Sequence, residues 1–130
     1  MSHSQRCSTR SQRVGNAQNI AMKLPNLLAP LGKPTSEEVV QPLISGGAFH
    51  LERIVSTGQA TSPGQWLIQD RDEWVMLASG SAVLRLDKDA TPIAMRPGDY
   101  LHIPAGQPHR VESTDSESET VWLALHYDPL

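Results

Sequence analysis

After residue 48 the chain alternates apolar and polar residues in short runs, and turn-forming clusters break these runs at intervals of about ten residues. Strand-like runs fall at 49–56, 65–69, 73–78, 81–86, 91–95, 99–103, 109–113 and 120–127. Turn signals separate them: Thr57 to Gly64, Asp70-Arg71-Asp72, Ser79-Gly80, Asp87 to Ala90 and Arg96-Pro97-Gly98. Between residues 65 and 127 there is no helical periodicity, and no repeat of solenoid length occurs. Many short strands with no intervening helices predict an all-β sandwich or barrel rather than βαβ units.

The first 48 residues follow a different pattern. Residues 1–23 are polar and are expected to form a flexible N-terminal tail. Their arginines and lack of acids faintly resemble an organelle-targeting leader, but a disordered tail, or an extension ahead of a start near Met22, is the preferred reading. Residues 24–48 contain short apolar clusters between Pro25, Pro30, Pro34 and Pro42, a density that forbids a long helix. Thr35-Ser36-Glu37-Glu38 is suited to capping one short turn. This segment is read as a Pro-rich arm packing on the barrel, which then occupies residues 49–130.

Composition narrows the function classes. All six Phe, Tyr and Trp residues lie after residue 48, so the packing material is concentrated there. Residues 1–36 carry five basic residues and no acid, so the remainder holds −8 of the net −3. An acidic globular part argues against nucleic acid as a partner. No apolar run approaches the ~18 residues of a membrane-spanning helix. Cys7 is the only cysteine, which excludes an intramolecular disulfide and fits a cytoplasmic protein. The core is small for a monomer, so a homodimer is expected.

The densest chemistry lies between Gly98 and His109. A glycine opens this run, Pro104 and Gly106 turn it, and an imidazole closes it. The spacing resembles the second motif of the cupin superfamily: Gly, five residues, Pro-x-Gly, two residues, His, three residues, Asn. Gly98, Pro104, Gly106 and His109 match, with Ser113 in the Asn slot. The first cupin motif is half present. Glu73 and Gly80 match, whereas its two histidine slots hold Leu67 and Gln69 and its opening glycine slot holds Thr61. The resemblance implies a double-stranded β-helix, a jelly-roll barrel with a pocket between two sheets. Metal-binding cupins use two histidines, a glutamate and a later histidine. By that analogy Glu73 and His109 are the candidate ligands, or acid/base groups, for iron, manganese, nickel or zinc.

Glu73 shares a strand face with Val75 and Leu77, and a carboxylate there is costly unless it is paired or bound. His109 shares a face with Val111. Two such ligands hold a metal weakly, so further donors are sought in Gln69, His102 and His126. If Leu101 and Ile103 are core, His102 points outward. His126 is related in the same way to Leu123 and Leu125, and the pattern decides neither. His50 and His3 read as surface or tail residues, and the tryptophans as core or interface. Arg53, Arg85 and Arg110 are candidates for clamping an anionic substrate, although exposed strand arginines are the commoner case.

Nucleophile elbows, phosphate loops, Cys–His pairs and dinucleotide fingerprints are missing from the sequence. Three readings follow. The first is a small ligand-binding cupin with a weak or atypical divalent-metal site; as an enzyme it would be of the oxygenase or isomerase type. The second is a metal-free, non-enzymatic ligand-binding or sensor module. The third is a structural dimer with a vestigial pocket.

Overall fold

The computed structural model describes residues 23–129. The expected flexible tail lies outside the described residues except for Lys23, and so do His3 and Cys7. Eight strands follow one another: β1 (Val39–Ser45), β2 (Phe49–Ser56), β3 (Asp72–Ser79), β4 (Ala82–Arg85), β5 (Ile93–Met95), β6 (Tyr100–Ile103), β7 (Arg110–Thr114) and β8 (Thr120–Tyr127). Among the described residues there is no helix. The strands pair antiparallel in a five-stranded sheet, β1-β2-β8-β3-β6, and a three-stranded sheet, β5-β4-β7.

The core forms where the inner faces of the two sheets meet. Val75, Leu77, Ile103, Trp122 and Ala124 come from the larger sheet, and Ala82, Leu84 and Met95 from the smaller. On β3 the alternation read from the sequence is realised: Glu73, Val75 and Leu77 are buried, while Trp74 and Met76 are half-exposed on the other face. The third alternating position on that inner face is therefore a carboxylate.

The segment read as an arm has two parts. Residues up to 36 run along the outside of β2. There the buried Arg53 donates from Nε to the Leu27 carbonyl at 2.8 Å and also binds the Ala29 carbonyl and Gln41. The backbone N–H groups of Leu31 and Gly32 both donate, at 2.9 Å, to the Glu119 carboxylate. The second part, Val39–Ser45, is edge strand β1 of the larger sheet.

The predicted strand at 65–69 does not form. Its only ladder contact is a single bridge between Leu67 and His109. The backbone groups of this segment are met piecemeal: the Gln65 carbonyl accepts from the Arg110 guanidinium, Leu67 bonds His109, and the Gln69 carbonyl accepts from Gly106 N–H.

Candidate functional site

Three short links bring the site together. The Pro104-Ala105-Gly106 corner closes with Gln107 N–H donating to the Pro104 carbonyl at 3.1 Å. Gly106 adopts φ +83, a left-handed conformation that a side chain would strain, and its N–H reaches the Gln69 carbonyl at 2.9 Å. Leu67 and His109 exchange both backbone hydrogen bonds, at 2.7 and 3.0 Å. The loop carrying Leu67 and Gln69 is thus stitched to the corner that presents His109.

These elements enclose a cavity of about 190 Å³ between the sheets. Its walls are largely apolar, with Val40, Ile54, Leu67, Val75, Leu84, Ile103, Val111 and Trp122. The polar lining consists of Glu38, Glu52, Gln69, Glu73, His109 and His126. Glu73 and His109 are both buried, and Glu73 Oε1 lies 3.7 Å from His109 Nε2. His109 Nδ1 is 3.0 Å from the Gln107 carbonyl. A carbonyl only accepts, so Nδ1 carries a hydrogen and Nε2 is the nitrogen turned toward Glu73. Glu73 Oε1 and Gln69 Oε1 are buried without any hydrogen-bond donor. Burial pushes the Glu73 carboxyl above its ordinary pKa, and Glu52 adds to the rise; His126 and His109 oppose it.

His126 enters the cavity wall because β8 pairs with β3 in a register that sets it opposite Glu73. Its Nε2, however, lies 3.1 Å from Glu52 Oε2. His102 is corrected. Ile103 takes the core position, so His102 turns to the opposite face, half-exposed, 3.5 Å from Asp72 and stacked on Tyr127. It is not among the cavity residues.

The commoner case of an exposed strand arginine does not hold for Arg53 or Arg110, which are both buried. Arg53 and Arg110 bind backbone carbonyls away from the cavity, and Arg85 pairs with Glu112 at 3.1 Å. Sequence reasoning missed Glu38 and Glu52 altogether and placed His50 on the surface. His50 is about a third exposed and outside the cavity lining; it ends the row Glu73–His126–His50 across the sheet and meets Glu52 Oε1 at 2.9 Å. The i, i+2 spacing of Glu52 from the cavity residue Ile54 was the available signal for Glu52.

A tightly held transition-metal ion needs three or four good donors. Leu67 has none, Gln69 offers only an amide oxygen, and His126 is engaged by Glu52. Among the described residues no three His, Cys, Asp or Glu side chains converge in a metal-holding group. The residues present do not fit such an ion.

Two antiparallel sheets in jelly-roll order around a walled hollow, with a carboxylate and an imidazole facing one another inside it, define a cupin-type barrel. The family comparison agrees: the cupin domain model matches residues 53–126, and the chain belongs to the cupin family. A crystal structure from Ralstonia eutropha JMP134, provisionally described as a mannose-6-phosphate isomerase, is 46% identical with a TM-score of 0.78, covering 83% of this chain and 100% of that one. A cupin superfamily protein from Desulfitobacterium hafniense DCB-2 is 18% identical (TM-score 0.65, covering 86% and 97%). An RmlC-like cupin with a double-stranded β-helix fold from Methanocaldococcus jannaschii is 14% identical (TM-score 0.60, covering 83% and 94%). The last two likenesses concern the fold alone. No curated protein sequence matches the chain.

Proposed function

We propose that the barrel is a metal-free pocket for a small polar ligand, in which Glu73 and His109 exchange a proton with the bound molecule. One observation carries this reading: a buried carboxylate oxygen with no donor, 3.7 Å from an imidazole nitrogen whose partner nitrogen is fixed by a backbone carbonyl. An unpartnered acceptor in an apolar wall is costly when empty, and a ligand N–H or O–H relieves that cost. Glu73 with its proton donates; without it the carboxylate accepts, so the pair serves either direction of transfer.

The same orphan oxygens, on Glu73 and Gln69, support the alternative of a divalent iron, manganese, nickel or zinc ion held weakly by Glu73, His109 and Gln69. Elemental analysis of protein purified without chelator separates the two readings. Less than one-tenth of an ion per chain, together with thermal stabilisation by a small polar metabolite that Leu84→Trp abolishes by filling the cavity, is the expected result. A stoichiometric ion lost in both Glu73→Ala and His109→Ala overturns the metal-free reading. A homodimer is proposed on the strength of edge strand β1, which exposes Val40, Leu43 and Ile44; sedimentation equilibrium tests it.

A further inference from the structure

We infer that the ligand of this cavity is a small organic cation, an ammonium group on a short apolar stem, with its N–H groups directed at Glu73. The inference rests on the ligand-pocket reading above and adds the chemical class.

Charge is the first observation. The cavity lining contains three carboxylates, Glu38, Glu52 and Glu73, and two imidazoles, His109 and His126, but no lysine or arginine. Glu52 is shared between His126 and His50, and Glu38 Oε2 accepts from the Ser56 hydroxyl at 3.3 Å. The nearby guanidinium groups of Arg53 and Arg110 are committed to backbone carbonyls on other faces. A phosphate or carboxylate entering here meets like charge and finds no guanidinium or ammonium to pair with.

Unmet hydrogen bonding is the second, independent observation. The Glu73 side chain is only 10% exposed, and its Oε1 has no donor. The other orphan atom of the cavity lining is also an acceptor, Gln69 Oε1. The unmet atoms of the lining are therefore both acceptors, and beside its two imidazoles it holds no permanently charged cation. An ammonium group supplies up to three N–H donors and the missing charge in one atom. The rest of the wall suits the stem. Trp122 Nε1 donates to Ser56 Oγ at 3.1 Å, so its indole N–H is already met and the ring contributes apolar wall to the cavity. A neutral alcohol satisfies one acceptor but leaves the charge uncompensated.

The test is an NMR titration of the full chain with three probes of one size: propylammonium, 1-propanol and propionate. Val75, Leu84 and Val111 methyl signals and the Trp122 indole N–H report binding inside the cavity. Propylammonium is expected to shift these signals saturably, with a dissociation constant at least tenfold below that of 1-propanol, and propionate to leave them unmoved. Glu73→Gln is expected to weaken propylammonium at least tenfold and 1-propanol far less, because the amide oxygen still accepts one hydrogen bond; Glu52→Gln provides a second carboxylate variant should the first fold poorly. Equal affinity for the cation and the alcohol, tighter binding of propionate, or cation affinity unaltered in both variants overturns the cation assignment while the ligand pocket stands. Cavity signals that no probe moves overturn both.

Discussion

Leu67 is the residue directly opposite His109, joined to it by two backbone hydrogen bonds, and both side chains line the same cavity. The position that holds an imidazole in metal-binding cupins is therefore correctly placed in space and simply lacks a donor atom. Restoring both histidine slots, as Leu67→His with Gln69→His, is expected to create a divalent-ion site with Glu73 and His109. Zinc or nickel affinity should rise by about a hundredfold or more over the parent, as two strong donors become four. Isothermal titration calorimetry measures it. An affinity indistinguishable from the parent would mean that the loop does not aim these side chains at Glu73.

Much of this site was legible in the sequence because it depends on local rules. The alternation of Glu73, Val75 and Leu77 against Trp74 and Met76 sets the inward face of β3 without knowledge of its neighbours. The Gly98 to His109 spacing likewise encodes its own corner. What escaped depends on partners distant in the chain. Residues 65–69 have strand-like composition, but their backbone groups go to Arg110, His109 and Gly106, partners about 40 residues away that a local pattern does not show. His102 and His126 occupy strands with bulky residues at both parities, so only the pairing of β8 with β3, and the burial of Ile103, separates them. The β2–β8 register sets His50 opposite His126, so the placing of its contact with Glu52 beside the site depends on a strand more than 60 residues away.

Gly80 lies where the chain turns from β3 toward β4, at φ +89. A Cβ there would sit 2.6 Å from Thr120 Cα and 2.7 Å from the Glu119 carbonyl oxygen. Both neighbours are backbone, and Thr120 is fully buried, so neither can move aside cheaply. Gly80→Ala is expected to destabilise the fold by about 3 kcal/mol or more, combining the strained φ with the overlap. A urea unfolding midpoint equal to that of the parent would show that the turn relaxes.

Arg53 fastens the N-terminal arm to the outer face of β2 through the Leu27 and Ala29 carbonyls. Arg53→Ala removes a buried, multiply bonded guanidinium and leaves those carbonyls without their donor, at a cost of about 2–4 kcal/mol. Cleavage between residues 24 and 36 by a nonspecific protease should accelerate before the barrel itself is cut. Arg53→Lys should not restore protection, because one ammonium cannot span the geometry that the planar fork bridges. Equal protection in the lysine variant would reduce the role of Arg53 to its charge.

Glu73 sets the sign of the barrel's pH response. Burial raises its folded pKa above the unfolded value of about 4.5. Between those two pH values the native state holds a proton that the unfolded chain has released, so stability declines as pH rises through the interval and is level above it. Below the unfolded value both states are protonated and the group contributes no slope. Glu73→Gln removes the titration while keeping the shape. The variant should match the parent near pH 4 and become progressively the more stable of the two as pH rises toward neutral. The difference between the two denaturation midpoints, measured from pH 4 to 8, reports residue 73 together with its coupling to the neighbouring His126, His109 and Glu52. A variant less stable than the parent at neutral pH would mean that the ionised carboxylate is favourably held by its imidazole neighbours. The pocket would then need no cation to complete it.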